Sequence, residues 1–395
     1  MTGMFKTFLP FRLGVHLILV SSIFALQILS LIQTDQPRFF CGPVITRFNI
    51  FNLTFLCDSS HYMLTADDPK KLLYFSIDPL SYGSPLQDRP LAPILAYLLS
   101  RVLNLFTPLD VKFFYSGLDN ISNSYSLTVY VSYLVLNSII LYVTVLVALK
   151  LVRSKLFGMK LLILAFLSFN QLTQNYFWLP NTVLMNNLFA VLLVLYIKCD
   201  KGLNSRQHHI FTASFAILAL YYPIFLFGLV LFFLINIHLR QLKFALISIL
   251  GLLLTLAIPI FIMNSIGTYR NNPVNAGYFA WTNNSQSPKL IVDEIIASLL
   301  SLYNSFSILQ LVICFLLMFS KNLSWKFKLV ALIYLAYLFA IGVYDYRYNT
   351  GFVSFIMIAY LSNTVVGVNK RNNALLIFVT LIYLLIAFMG VGKTY

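Results

Sequence analysis

The stretch IFTASFAILALYYPIFLFGLVLFFLINIH, residues 210–238, decides how this chain is arranged. A helix rises 1.5 Å per residue, so about 20 apolar residues cross a hydrocarbon core about 30 Å thick. Read as one element, the stretch is a single long, tilted span. Read as two, it is a pair of short spans, 210–222 and 223–238, that meet at YYP (221–223). Proline supports the second reading, because it has no N–H to give to a helix and its ring clashes with the preceding turn. The choice fixes on which side of a membrane every later segment lies.

Lysine and arginine settle it, since short inner loops of membrane proteins collect them. Place Lys6 and Arg12 inside. The inner connections then carry Lys150, Arg153, Lys155 and Lys160; Lys198, Lys201 and Arg206; Arg240 and Lys243; Lys321, Lys326 and Lys328; and Lys370 with Arg371. Apart from the first loop, the outer connections hold only Arg270, Lys289, Arg347 and Lys393. Only the split at YYP keeps every later basic cluster inside. The expectation is therefore eleven spans, at 13–33, 124–149, 159–172, 182–197, 210–222, 223–238, 244–266, 294–319, 327–344, 349–367 and 373–392, with the N-terminus cytoplasmic and the C-terminus outside.

Composition agrees with a polytopic, all-α membrane protein. Of 395 residues, 59% are hydrophobic and 10% charged, and the mean hydropathy is +0.83, which leaves too little polar surface to cover a soluble globule. The net charge of +15 does not point to nucleic acid, because the basic residues are scattered between apolar runs and not massed on one stripe. They fix topology and meet anionic headgroups of membrane lipids. The first apolar run, 13–33, is too long for a signal-peptide core and no small-residue cleavage site follows, so it reads as a retained first helix. We treat 1–395 as a single integral membrane domain. The four cysteines form no CxxC or Cys/His cluster, so neither a metal nor another cofactor is expected, and a divalent cation is not favoured. Cys41 and Cys57 share the first loop, where an oxidising compartment would allow a disulfide.

That topology leaves 34–123 as a large first outer loop. Half of the twelve acidic residues lie in it between Asp35 and Asp88: Asp35, Asp58, Asp67, Asp68, Asp78 and Asp88. Within it, DRPLAPILAYLLSRVLNLF (88–106) is apolar but carries Pro90, Pro93, Arg89 and Arg101, and reads as an interfacial or re-entrant helix. A shorter helix begins near Ser59 or Ser60 and ends before Pro69. QNYFWLPN (174–181) and GTYRNNPVNAGYFAWTNNSQSPKL (267–290) read as further outer connections, and His208 and His209 as solvated residues of an inner one.

Ionisable groups near hydrocarbon are costly and tend to face a cavity, a partner or a substrate. In CDSSHYMLTADDP (57–69), an Asp58 that starts or caps a helix shares a face with His61 and Tyr62. It is either a plain cap or a carboxylate able to polarise a hydroxyl at the membrane surface. Asp67 and Asp68 before Pro69 read as a solvated turn. Arg89, next to Asp88, has the planar fork that grips phosphate, although an arginine at that place also snorkels to headgroups. In GVYDYRYNTGF (342–352), Asp345 and Arg347 lie between two apolar runs, as a local ion pair in an aromatic belt or as a second phosphate grip. Asn170, Gln171, Asn186, Asn187 and Asn264 read as packing residues. Nucleotide-loop, zinc-protease and serine-hydrolase motifs are missing from the sequence.

An acidic first outer loop directly after the first span, DSSHY within it, and DRPLAP at the start of an interfacial helix together resemble the GT-C superfamily of membrane glycosyltransferases, in particular the protein mannosyltransferases and aminoarabinose transferases. The resemblance implies a GT-C-like fold, a polyprenyl-phosphate-linked sugar as donor, and a saccharide, lipid or protein acceptor. It implies Asp58 as the catalytic carboxylate, Arg89 and Arg347 near the lipid phosphate, and His61, Tyr62, Asp88 and Asp345 lining the substrate site. It also implies an outward-facing site, with a bacterial inner membrane as the expected location. The likeness covers the architecture of the whole chain but little of its motif sequence. One departure stands out: such relatives often carry a second acidic residue in the next outer loop, and QNYFWLPN has none.

Two rival readings use the same topology. A lipid-linked saccharide flippase or transporter would place ionisable residues at the bilayer midplane and repeat its halves. A polysaccharide polymerase or ligase would place its large loop later, where only 267–290 is offered.

Overall fold

The computed structural model describes residues 13–32, 44–48, 51–54, 57–74, 76, 83–84, 86–106, 112–116, 122–152, 156–199, 205–239, 241–265, 314, 316–340, 346–364 and 370–390. The architecture is helical, with several apolar helices, as a membrane protein requires. Windows over Leu127–Val152, Leu242–Ile262 and Lys370–Ala387 are long and apolar enough to cross a membrane, and shorter apolar helices accompany them.

The deciding stretch folds as two helices. Helix α8 (Ser205–Ala219) stops before YYP, and α9 (Ile224–His238) starts from Pro223, whose φ of −61° suits a helix entrance. The two pack side by side, and α10 (Leu242–Ser265) closes against both. Gly228 makes the approach possible, since a Cβ there would sit 2.5 Å from the Phe215 ring.

At the centre lies α7 (Met185–Cys199), apolar all round and buried on nearly every face, as expected of an interior helix. Around it pack α4 (Leu127–Val152), α9, α11 (Trp325–Ala340) and α12 (Tyr346–Asn363). Phe189 is the hub. Its ring meets those of Phe215, Phe225, Phe227 and Tyr334 at centroid distances of 5.4–6.3 Å, edge to face with Phe225 and Tyr334 and tilted with the other two. On the far side of α4, α5 (Phe157–Ser168) holds α13 (Lys370–Gly390) and the first helix, α1 (Leu13–Ile32).

The expected span at 159–172 divides in two. Asn170 turns its carbonyl oxygen to the Thr173 N–H (2.9 Å), ending α5 and capping the short α6 (Gln171–Tyr176). Twelve residues reach only about 18 Å, short of a hydrocarbon core. His208 departs from its expectation too. It is buried, its ring stacked on Phe244 at 3.9 Å with Nδ1 near the Tyr196 hydroxyl, because α8 begins at Ser205 and carries it inward.

The first loop contains α2 (Cys57–Asp67) and α3 (Leu91–Phe106), together with two antiparallel ribbons, β1 (Val44–Phe48) with β2 (Phe51–Thr54) and β3 (Lys112–Ser116) with β4 (Ser122–Ser126). The ADDPKK turn forms as expected: Asp68 accepts from Lys70 N at 3.2 Å and starts a 3-10 turn, Pro69–Leu73. Helix α3 is amphipathic. Ala92, Ala96 and Ser100 make a stripe of small residues buried mainly against α4, while Leu98, Val102, Leu105 and Phe106 face outward. Cys199 and Cys314 are buried cysteines, and Cys41 and the Cys57 side chain lie outside the described residues.

Candidate functional site

Two segments of the first loop meet where the sequence places its candidate chemistry. Arg89 leaves a 3-10 turn, Leu86–Asp88, whose Leu86 carbonyl accepts the Arg89 N–H at 3.0 Å. Gln87 fastens that turn to the preceding one by donating to the Leu72 carbonyl at 3.0 Å, and Ser84 accepts from Leu86 N at 3.1 Å. Thus aimed, Arg89 Nη1 donates to the Tyr62 hydroxyl at 3.1 Å. DSSHY and DRPLAP, 27 positions apart from Tyr62 to Arg89, therefore share one hydrogen-bonded site.

Tyr62 is buried on α2, its ring edge-on to Tyr133 of α4 at 5.9 Å. The Tyr133 hydroxyl donates to the Tyr62 carbonyl at 3.2 Å, so α4 holds both side chain and backbone. The Tyr62 hydroxyl also meets Thr182 Oγ1 at 2.9 Å.

Thr182 arrives on an irregular segment, 177–183, that is buried almost throughout. Non-helical backbone at membrane depth needs partners for its polar groups, and side chains supply them here. Asn137 Nδ2 of α4 donates to the carbonyls of Phe177 (3.0 Å) and Leu179 (2.9 Å), Tyr130 Oη donates to that of Trp178 (2.5 Å), and Asn181 Oδ1 accepts from Val183 N (2.9 Å). The described side chains of QNYFWLPN, read from the sequence as an outer connection, are thus packed into the interior. Its aromatic and leucine side chains are what make burial favourable.

The YYP corner forms the third wall. Leu91 N, at the start of α3, donates to the Leu220 carbonyl at 3.1 Å, which ties the first loop to the corner. Tyr222 accepts from Asn186 Nδ2 at 3.2 Å, at the start of α7. The Tyr221 hydroxyl is buried and meets no hydrogen-bond partner among the described residues. It lies near the phenols of Tyr62 and Tyr133.

The remaining candidates distribute as follows. Asp58 stands in the first turn of α2, one turn before Tyr62 and on the same helix face. His61, beside Tyr62, is half-buried. Asp88 closes the 3-10 turn before Arg89, and Arg347 lies in the first turn of α12. The side chains of Asp58, Asp88 and Arg347 and the whole of Asp345 lie outside the described residues. One turn beyond Arg347, Gly351 abuts Asn186, so α12 begins at the same end of α7 as Thr182 and Tyr222. Among the described residues, no group of three or more His, Cys, Asp or Glu is arranged to hold a metal ion.

The site thus joins a guanidinium, a hydroxyl pair and an unsatisfied phenol within an aromatic wall. Such a set can bind an oxyanion and orient a hydroxyl. Thr182, Tyr133 and Tyr221 were not among the residues singled out in the sequence. The traces they left there are the proline corners LPNT (179–182) and YYP. No family model matches the chain, and no curated protein or solved structure is detectably similar to it.

Proposed function

We propose that this chain is a multi-pass membrane glycosyltransferase of the GT-C type, moving a sugar from a polyprenyl-phosphate carrier to an acceptor hydroxyl on the outer face of a bacterial inner membrane. The observation that carries the reading is the Arg89–Tyr62 hydrogen bond, which unites the two motifs on which the resemblance rests. The buried, unpaired Tyr221 hydroxyl supports it. Leaving such a group unsatisfied costs about 1–3 kcal/mol, which an oxygen of a bound donor would recover.

In this reading Asp58 takes the acceptor's proton as the new bond to the anomeric carbon forms. The bond from that carbon to the phosphate oxygen breaks, and polyprenyl phosphate leaves with its charge held by Arg89 and Arg347. A single displacement inverts the anomeric centre. His61, Tyr62, Asp88 and Asp345 border the substrates, and the prenyl tail lies along apolar helices.

Purified protein given a polyprenyl-phosphate sugar and candidate acceptors will release polyprenyl phosphate, and Asp58→Asn will lower the rate by at least about 100-fold while the protein inserts and melts normally. A fully active Asp58→Asn protein removes the assignment. Movement of the intact donor between leaflets without sugar release makes the chain a transporter, and dependence on a diphosphate-linked oligosaccharide makes it a polymerase or ligase.

A further inference from the structure

Helices α7 and α9 run about 21 Å away from the Arg89 site, and at their far ends they part from α11 to leave an open cleft. Its walls are aliphatic, with Ile197, Leu231, Leu234, Leu329 and Ile333 among them. Its mouth is different. His238 and Trp325 stand edge to face there with centroids 5.0 Å apart, and Lys326 borders the same opening.

Basic residues outnumber acidic ones at this end, where Asp200 directly follows α7. The chain has no Asp or Glu between Asp200 and Asp293, nor between Glu294 and Asp345, and these stretches supply α8, α9, α10 and α11. Lys243, Lys321 and Lys328 add to the cationic field near Lys326. An aliphatic cleft whose mouth pairs an exposed tryptophan with lysine matches one ligand chemistry, an apolar chain ending in an anion at headgroup level.

We propose that the cleft is a binding site for an anionic glycerophospholipid, with one acyl chain between α9 and α11, the phosphate against Lys326 and His238, and Trp325 beside the glycerol. The site is separate from the Arg89 site and holds whichever reaction occurs there. Near a membrane surface one lysine contributes about 1 kcal/mol toward an anionic headgroup, or about fivefold in affinity.

The test is tryptophan quenching in neutral-detergent micelles, with the full-length protein and either phosphatidylglycerol or phosphatidylcholine, both brominated on the acyl chain. Subtracting the signal of Trp325→Phe isolates Trp325. Phosphatidylglycerol is expected to quench it at a mole fraction about fivefold lower than phosphatidylcholine does, and added salt is expected to shrink that difference. Lys326→Gln removes most of the preference, whereas Lys160→Gln, which deletes an exposed charge on α5, leaves it intact. Circular dichroism of each variant confirms the fold. Equal quenching by both lipids in the unmodified protein, or a preference that survives Lys326→Gln, overturns the proposal.

Discussion

At the scale of single residues, Tyr62 and Tyr221 offer a contrast. Both are buried phenols at one site, but Tyr62 is paired with Arg89 and Thr182 while the Tyr221 hydroxyl is unpaired. Tyr62→Phe removes a hydroxyl that two neighbours use, and will lower stability by about 1–3 kcal/mol. Tyr221→Phe removes a hydroxyl that is not used within the protein, and will leave the melting temperature of the ligand-free protein unchanged or slightly raised. Its effect appears with the donor bound, as a rise of about 5- to 10-fold in KM, the equivalent of one hydrogen bond. Thermal melts in detergent alongside sugar-transfer kinetics measure both. A Tyr221→Phe protein that melts early but transfers sugar normally would show the phenol to be structural.

At the scale of elements, the site depends on α4, which contributes no charged group to it. Asn137 sits in mid-helix and donates to two carbonyls of the 177–183 segment that delivers Thr182. Asn137→Leu keeps the volume but strands the Phe177 carbonyl in the interior and leaves that of Leu179 with Asn181 Nδ2 alone, at 3.2 Å. We expect a loss of about 2–3 kcal/mol and a loosened segment, seen as faster hydrogen exchange across 177–183. This dependence also explains what the sequence made legible. DSSHY, DRPLAP and the break at YYP were readable because helix starts, arginine geometry and proline act locally. The 174–181 stretch was read only as an outer connection, and its burial was not legible because its partners lie some forty positions earlier, on a helix that looks merely apolar from its sequence. Burial of His208 was hidden for the same reason, since Phe244 and Tyr196 come from other helices.

At the scale of the whole molecule, sidedness joins the two sites. The Arg89 site lies at the start of α7 and the lipid cleft at its end, so an outward-facing active site requires the basic mouth of the cleft to face the cytoplasm. The distribution of lysines gives the same polarity independently, because Lys243, Lys321 and Lys326 all fall in connections assigned inside. The two arguments are tested together by labelling. With the four native cysteines replaced, Lys70→Cys in the first loop will react with a membrane-impermeant maleimide on intact cells. Lys243→Cys and Lys321→Cys will react only after the membrane is permeabilised. All three positions are half-buried or exposed in the folded protein, so reactivity reports the side of the membrane and not burial. Labelling of Lys321→Cys on intact cells would place the cleft outside, and seven spans in place of eight would then precede it. Since the only division that depends on a single proline corner is YYP, and α8 and α9 are separate helices there, the error would lie in whether each of those short helices crosses the bilayer.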